Sequence, residues 1–174
     1  MLKLPNYKIT QSKLPNYQLI QLPNAMTLQG TQKISARRDR VFQALIDPAV
    51  LQECIPGCQE LEKTGEDQYK ATLSAGVGPV KGVFAATISL KDISVPSQFT
   101  LVVEGKGQPG FVKGSGTLDL SEEDDSTTIE YSGEVNIGGL IAGVGQRMIQ
   151  ATAKLLAGRF FKTLEKELAG EPSE

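Results

Sequence analysis

The chain has 174 residues, 40% of them apolar and 22% charged, with a formal charge of −2, which suffices for one domain with a sizeable core. It has no histidine and only two cysteines, Cys54 and Cys58, which excludes Ser-His-Asp and Cys-His catalysis, histidine-ligated zinc and a four-thiolate metal site within one chain. No apolar run approaches the roughly 18 residues of a membrane span, no secretory signal is evident, and no basic cluster interleaves with aromatics, so the chain reads as soluble and cytoplasmic without a nucleic-acid partner.

Residues 1–25 repeat themselves as Leu4-Pro5-Asn6-Tyr7, Leu14-Pro15-Asn16-Tyr17 and Leu22-Pro23-Asn24-Ala25, and carry Lys3, Lys8 and Lys13 but no acid. Regular proline breaks any helix, and three short units cannot bury a face of their own. The segment reads as a disordered leader. Upstream sequence translated through a misassigned start, with Met26 the native initiator, is one origin; a short binding tail is the alternative. Residues 26–170 then form a single domain, followed by a tail at 171–174.

Within the domain, a strand near Leu28 to Ile34 precedes a helix from Arg37 to Ile46, in which Val41, Phe42 and Leu45 recur at helical spacing. A second short helix follows from Pro48 to Cys54. Asp47 stands where its cap belongs, proline suits its first turn, and Pro56-Gly57 cannot continue it. Period-two segments come next at Tyr69 to Ala75, Val80 to Lys91, Phe99 to Lys106, Val112 to Leu120 and Thr127 to Ile137. Their short, turn-rich connections favour an antiparallel meander. A long helix is expected from Gly139 to Leu168, with Leu140, Val144, Met148 and Leu155 along one side and Ile141, Ile149, Leu156, Phe160, Leu164 and Leu168 widening the stripe. Its Arg147, Lys154, Lys162 and Lys166 read as a solvated face.

Side chains alternate across a strand, so parity assigns the buried face. The apolar parity collects Tyr69, Ala71, Leu73, Ala75, Val80, Gly82, Phe84, Ala86, Ile88, Leu90, Phe99, Leu101, Val103, Val112, Gly114, Gly116, Leu118, Leu120, Ile129, Tyr131, Gly133, Val135 and Ile137. None ionises near neutral pH; Lys81, Glu104, Lys113, Asp119, Glu130 and Glu134 take the other parity. The inward set is rich in glycine and alanine, and protein interiors fill to crystal-like density. The long helix must therefore approach very closely, or a cavity must remain; on the residues alone both readings stand.

Few motifs suggest chemistry. Gly105-Lys106-Gly107-Gln108-Pro109-Gly110 fits GxGxxG, yet a dinucleotide fingerprint opens a helix and Gly110 opens a strand, so a hairpin turn is expected. Cys54 and Cys58 are four apart, unlike a CxxC pair, and read as free thiols. Glu122 to Asp125 is a solvated turn.

The order of strand, two short helices, five or six antiparallel strands and a long helix resembles the helix-grip fold of the START and pollen-allergen-like (SRPBCC) superfamily. More specifically, Phe42, Asp47-Pro48, Leu51, Cys54-Ile55-Pro56-Gly57-Cys58, Val77-Gly78-Pro79-Val80-Lys81-Gly82 and Gly138-Gly139-Leu140-Ile141 look like the pattern of the CoxG family, named for the CoxG subunit of carbon monoxide dehydrogenase. The likeness covers Met26 to about Leu168. It implies an α+β fold: a curved antiparallel sheet wrapped around a long C-terminal helix, two short helices after the first strand, and an apolar cavity between sheet and helix. It also implies a non-catalytic accessory to a molybdenum-containing carbon monoxide dehydrogenase or related hydroxylase complex. Many relatives carry a hydrophobic C-terminal extension; this chain stops at Glu174, so at most peripheral membrane contact is expected.

The leading expectation is thus a non-enzymatic carrier of a hydrophobic small molecule, lipid- or quinone-like, needing no cofactor and no metal. The lining expected from parity is Tyr69, Phe84, Phe99, Leu118, Tyr131, Val135, Ile141, Val144 and Met148, with Tyr69, Tyr131 and the Gly138-Gly139 amides as orienting polar groups. An accessory protein that docks through its surface, without ligand, is the alternative. An enzyme like the superfamily's cyclases and hydratases is the third, disfavoured because no inward acid or base is available apart from tyrosines.

Overall fold

The computed structural model describes residues 25–170; the leader up to residue 24 and the tail at 171–174 lie outside the described residues. Seven strands, β1 (Met26–Ile34), β2 (Cys58–Gly65), β3 (Gln68–Val77), β4 (Val80–Ser94), β5 (Gln98–Gly107), β6 (Gly110–Glu123) and β7 (Ser126–Gly138), form one curved sheet in the order β1-β7-β6-β5-β4-β3-β2. Every neighbouring pair is antiparallel. Helices α1 (Arg38–Ile46) and α2 (Pro48–Cys54) follow β1, and α3 (Gln146–Ala169) closes the domain. This is the expected helix-grip architecture. GxGxxG is a hairpin, with Gly107 paired to Gly110 across the turn.

Local chemistry explains the two short helices. Asp47 caps α2: its Oδ1 accepts the Ala49 N–H at 2.9 Å, and Pro48 takes the first helical position. Gly57 ends the following turn at φ 77°, where a Cβ would run into the carbonyl oxygen of Ser74, so glycine is required.

One strand escapes the sequence pattern, and one expectation needs correction. Strand β2 lacks period-two apolar alternation because it is an edge strand: Leu61 is its only buried residue, so sequence pattern does not reveal it. The long helix does not begin at Gly139. Residues Leu140–Val144 form a separate 3-10 turn, and Gly145, at φ 99°, breaks the chain before α3 starts at Gln146. The helical stripe shifts accordingly. Leu140, Met148 and Leu155 are 69%, 43% and 55% exposed, while Ile149, Phe161, Leu164 and Leu168 are the buried residues of α3.

The end of the sheet that carries α1 and α2, here the lower end, is heavily tied. The Ser35 N–H donates to Glu165 Oε2 at 3.0 Å and Arg40 Nη2 donates to the Leu168 carbonyl at 3.2 Å, fixing the last turns of α3. A cation there also complements the helix dipole. The Tyr69 hydroxyl donates to the Ile46 carbonyl at 2.6 Å, and Thr127, fully buried, donates to the Ala36 carbonyl at 2.7 Å.

Candidate ligand cavity

The interior splits into two apolar clusters. The lower one packs Ile34, Val41, Phe42, Leu45, Phe99, Ile129 and Leu164 among others, with the rings of Phe42 and Phe99 edge to face at 5.6 Å. The upper one is small: Met26, Val77, Phe84, Ile141 and Ile149. Between them a space remains unfilled. The first half of α3 presents Thr152, Ala153 and Leu156 across open space to the strands.

Two adjoining cavities fill that space. One, of about 270 Å³, lies over Leu101, Val103, Val112, Gly114, Gly116, Leu118, Tyr131, Gly133 and Val135, with Leu28 at its side. The other, of about 230 Å³, lies nearer the upper end, bounded by Leu73, Ala75, Phe84, Ala86, Ile137, Ile141, Ile149 and Ala153. Val103, Val112 and Val135 line both, and together they reach the range of small-molecule sites, roughly 300–1,000 Å³.

Sequence makes the void directly. Gly116 and Gly133 are register partners on the inward face, and a Cβ on Gly133 would stand 2.5 Å from the Ser115 carbonyl oxygen and 2.7 Å from Gly116 Cα. The two strands approach too closely there for side chains, so the cavity floor is bare backbone. Tyr131 forms the wall toward the lower core by stacking on Phe161 at 5.4 Å. Gly30, its register partner, leaves the room for it: a Cβ there would stand 2.5 Å from the Tyr131 hydroxyl oxygen.

The lining is almost wholly apolar. Tyr131 is its only ionisable side chain; Lys81, Glu104, Lys113, Asp119 and Glu130 are exposed on the other face. An ionised ligand group inside would lose its hydration without a charged partner, so the space suits a neutral apolar molecule. A polar groove of about 510 Å³ over β2, β3 and β4, lined by Gln52, Glu60, Glu62 and Lys70, has the opposite character.

Of the residues expected from parity, Phe84, Val135 and Ile141 line the upper cavity, and Leu118 and Tyr131, with Val135 again, line the other. Val144 packs against the upper cluster beside them without lining either. Tyr69 and Phe99 belong to the lower core, and the Tyr69 hydroxyl is occupied by Ile46. Met148 stays largely exposed and covers Gly78 with its sulfur. Gly138 ends the ladder opposite Phe111. Sequence reasoning missed Thr152 and Ala153, which a helical stripe begun at Gln146 would have placed beside Ile149 and Leu156.

Neither cysteine is prepared for chemistry. Burial, reinforced by nearby Glu167 and Glu53, pushes the Cys54 thiol up to about 11. Burial also raises Cys58, partly offset by a backbone hydrogen bond at Glu60. Both thiols are free and protonated near neutral pH, and a protonated thiol is a poor nucleophile. Among the described residues no group of three metal-binding side chains occurs, and no helix is long and apolar enough to cross a membrane.

Comparison with known proteins agrees with this fold. The family model of CoxG, the carbon monoxide dehydrogenase G subunit, matches residues 30–169. The chain belongs to the CoxG family. A conserved protein from Geobacillus kaustophilus is similar at 41% identity over 83% of this chain and 95% of that one, with a TM-score of 0.80. A START superfamily protein from Mycobacterium smegmatis (13% identity, 81% and 95% covered, TM-score 0.65) and the Zhui aromatase/cyclase from a Streptomyces (14%, 82% and 93%, 0.63) share the fold with this CoxG-family chain. No match was found among curated proteins.

Proposed function

We propose that this chain binds and carries a hydrophobic small molecule, lipid- or quinone-like, in the paired cavities between α3 and the sheet, without catalysing a reaction on it. The observation that carries this reading is the void itself: one cavity has a bare-backbone floor at Gly116 and Gly133, and the adjoining one lies between the strands and Thr152, Ala153 and Leu156 of α3. Natural cores rarely leave such space, and an apolar cavity too poor in polar groups to hold water gains most from an apolar guest. The absence of an inward acid or base among the lining side chains, apart from Tyr131, supports a carrier over a cyclase, which needs one to move a proton. The shared fold with an aromatase/cyclase does not bear on this, since fold alone does not carry chemistry.

The family supports an accessory role beside a molybdenum-containing hydroxylase, and a carrier can serve such an enzyme. A chain that acts only by docking is the second reading; it predicts a partner lost with Ile55→Glu and no bound molecule. Native mass spectrometry of protein purified without detergent tests the first reading, together with titration by the neutral apolar fluorophore phenylnaphthylamine. A bound apolar mass, or saturable fluorescence weakened by Ala153→Leu, supports carriage; neither signal from folded protein ends it.

A further inference from the structure

We infer that the 3-10 turn Leu140–Val144 is the gate of the cavity, swinging as a unit about Gly139 and Gly145. The inference rests on the carrier reading above. Three connections frame the upper end of the sheet, and two of them are locked. The β3–β4 turn is closed by the pair Val77 and Val80, and the β5–β6 turn by Gly107 and Gly110, each at the end of a continuous ladder. The third connection, from β7 to α3, has no ladder at all.

That third connection is built with a pivot at each end. Gly139 (φ 87°, ψ −158°) and Gly145 (φ 99°, ψ 148°) occupy backbone regions open in practice only to glycine, where rotation meets no Cβ. Between them Ile141 points inward, 4% exposed, and lines the upper cavity, while Leu140 lies in solvent. Among the described residues one tertiary backbone hydrogen bond holds the turn, from the Ile141 N–H to the Pro109 carbonyl at 2.8 Å; the others run within the turn or into α3. A Cβ on Gly143 or Gly145 would touch nothing within 4 Å, so the turn is unobstructed on its α3 side, while Gly139 abuts the Gly110 backbone. Opening thus breaks one tertiary backbone hydrogen bond and withdraws Ile141, with Val144 beside it, from the upper cluster, and it uncovers the cavity end. Segments that open for ligands are drawn from the weakly tied parts of a fold.

Gly143→Ala separates a gate from a merely structural turn. Its φ lies outside the left-handed range and its Cβ meets nothing, so a static turn would be indifferent to it. Stopped-flow mixing with phenylnaphthylamine should show association and dissociation both slowed about two- to fivefold, with the equilibrium Kd unchanged, because alanine narrows the open backbone ensemble. Ile141→Ala, which trims the plug, should speed dissociation. Hydrogen exchange gives a readout independent of any ligand: the Ile141 amide should exchange at least about tenfold faster than the ladder amides of Val112 and Ile137. Unchanged kinetics in Gly143→Ala with probe bound, or an Ile141 amide as protected as the ladder, overturns the gate and leaves the carrier intact. Failure of the wild-type protein to bind any probe overturns both.

Discussion

The lower and upper halves of this domain share one sheet and one helix yet are filled by different means. At the lower end large side chains interlock, Phe42 against Phe99 and Tyr131 against Phe161, and polar ties pin α3 at Ser35 and Arg40. Toward the upper end the same strands turn glycine and alanine inward, and cavities remain over Gly116 and Gly133 and beneath the first half of α3. A fold can tolerate a void on these terms: stability is concentrated where the helix is clamped, so the other half is free to be hollow. The largest expected effect tests that division. Phe42→Ala should destabilise by about 3–5 kcal/mol in urea or guanidinium unfolding, as for a fully buried ring removed from a filled core. Phe84→Ala, beside an existing cavity, should cost at least about 1 kcal/mol less, because fewer neighbours lose contact. Equal losses would contradict the division.

Alkaline titration reports on the clamp from another direction. Cys54 is 1% exposed in the lower core, and its pKa is raised from an ordinary 9.0 to about 11. The protonated thiol is thus favoured in the folded state. Its contribution is fully present below pH 9 and is lost as the pH rises toward 11, where the unfolded chain ionises first. Stability should fall across that window by an amount on the order of 1–2 kcal/mol attributable to this residue. Cys54→Val should flatten that limb in denaturant unfolding measured from pH 8 upward. An equally steep limb in the variant would place its origin elsewhere.

The inward lining was legible before the fold, though on the residues alone it fitted close packing as well as a hollow. Strand parity identified the glycine-rich inward face because each strand is long and one face is consistently free of charge. Parity does not tell depth, however. Tyr69 and Phe99 are inward like Phe84, but they sit at the lower ends of β3 and β5, and only the register of the sheet separates them from the cavity. The α3 lining was harder to read for a related reason. Leu140, Val144 and Met148 recur every four residues straight through Gly145, so periodicity suggests a continuous helix where a positive φ interrupts it. β2 was illegible because an edge strand with one buried residue has almost no pattern to show.

Filling the hollow should bring out the contrast between the halves through a smaller effect. Ala153 borders the upper cavity and packs against its cluster, so leucine there can extend into empty space. Ala153→Leu should stabilise the protein by about 0.5–2 kcal/mol, as cavity-filling substitutions do, while weakening probe binding at least about tenfold. Opposite signs for stability and binding are the signature of a void kept for a guest. A loss of both would mean that the space is smaller than it measures and that leucine overpacks it.

The smallest effect concerns the helix that spans both halves. Gly158 sits in α3 between the anchored turns and the free ones, exposed, with nothing within 4 Å of a Cβ built on it. Glycine in a helix interior is less favourable than alanine by about 0.5–1 kcal/mol, because the unfolded chain has more conformations to lose. With no packing reason for glycine here, Gly158→Ala should raise stability by that amount in denaturant unfolding. It should do so without the loss of binding seen for Ala153→Leu, because residue 158 lines neither cavity. A variant that is stabilised yet exchanges the fluorophore more slowly would give Gly158 a dynamic role. The upper half of α3 would then flex against its clamped end, and the division between the halves would lie within the helix, at this glycine.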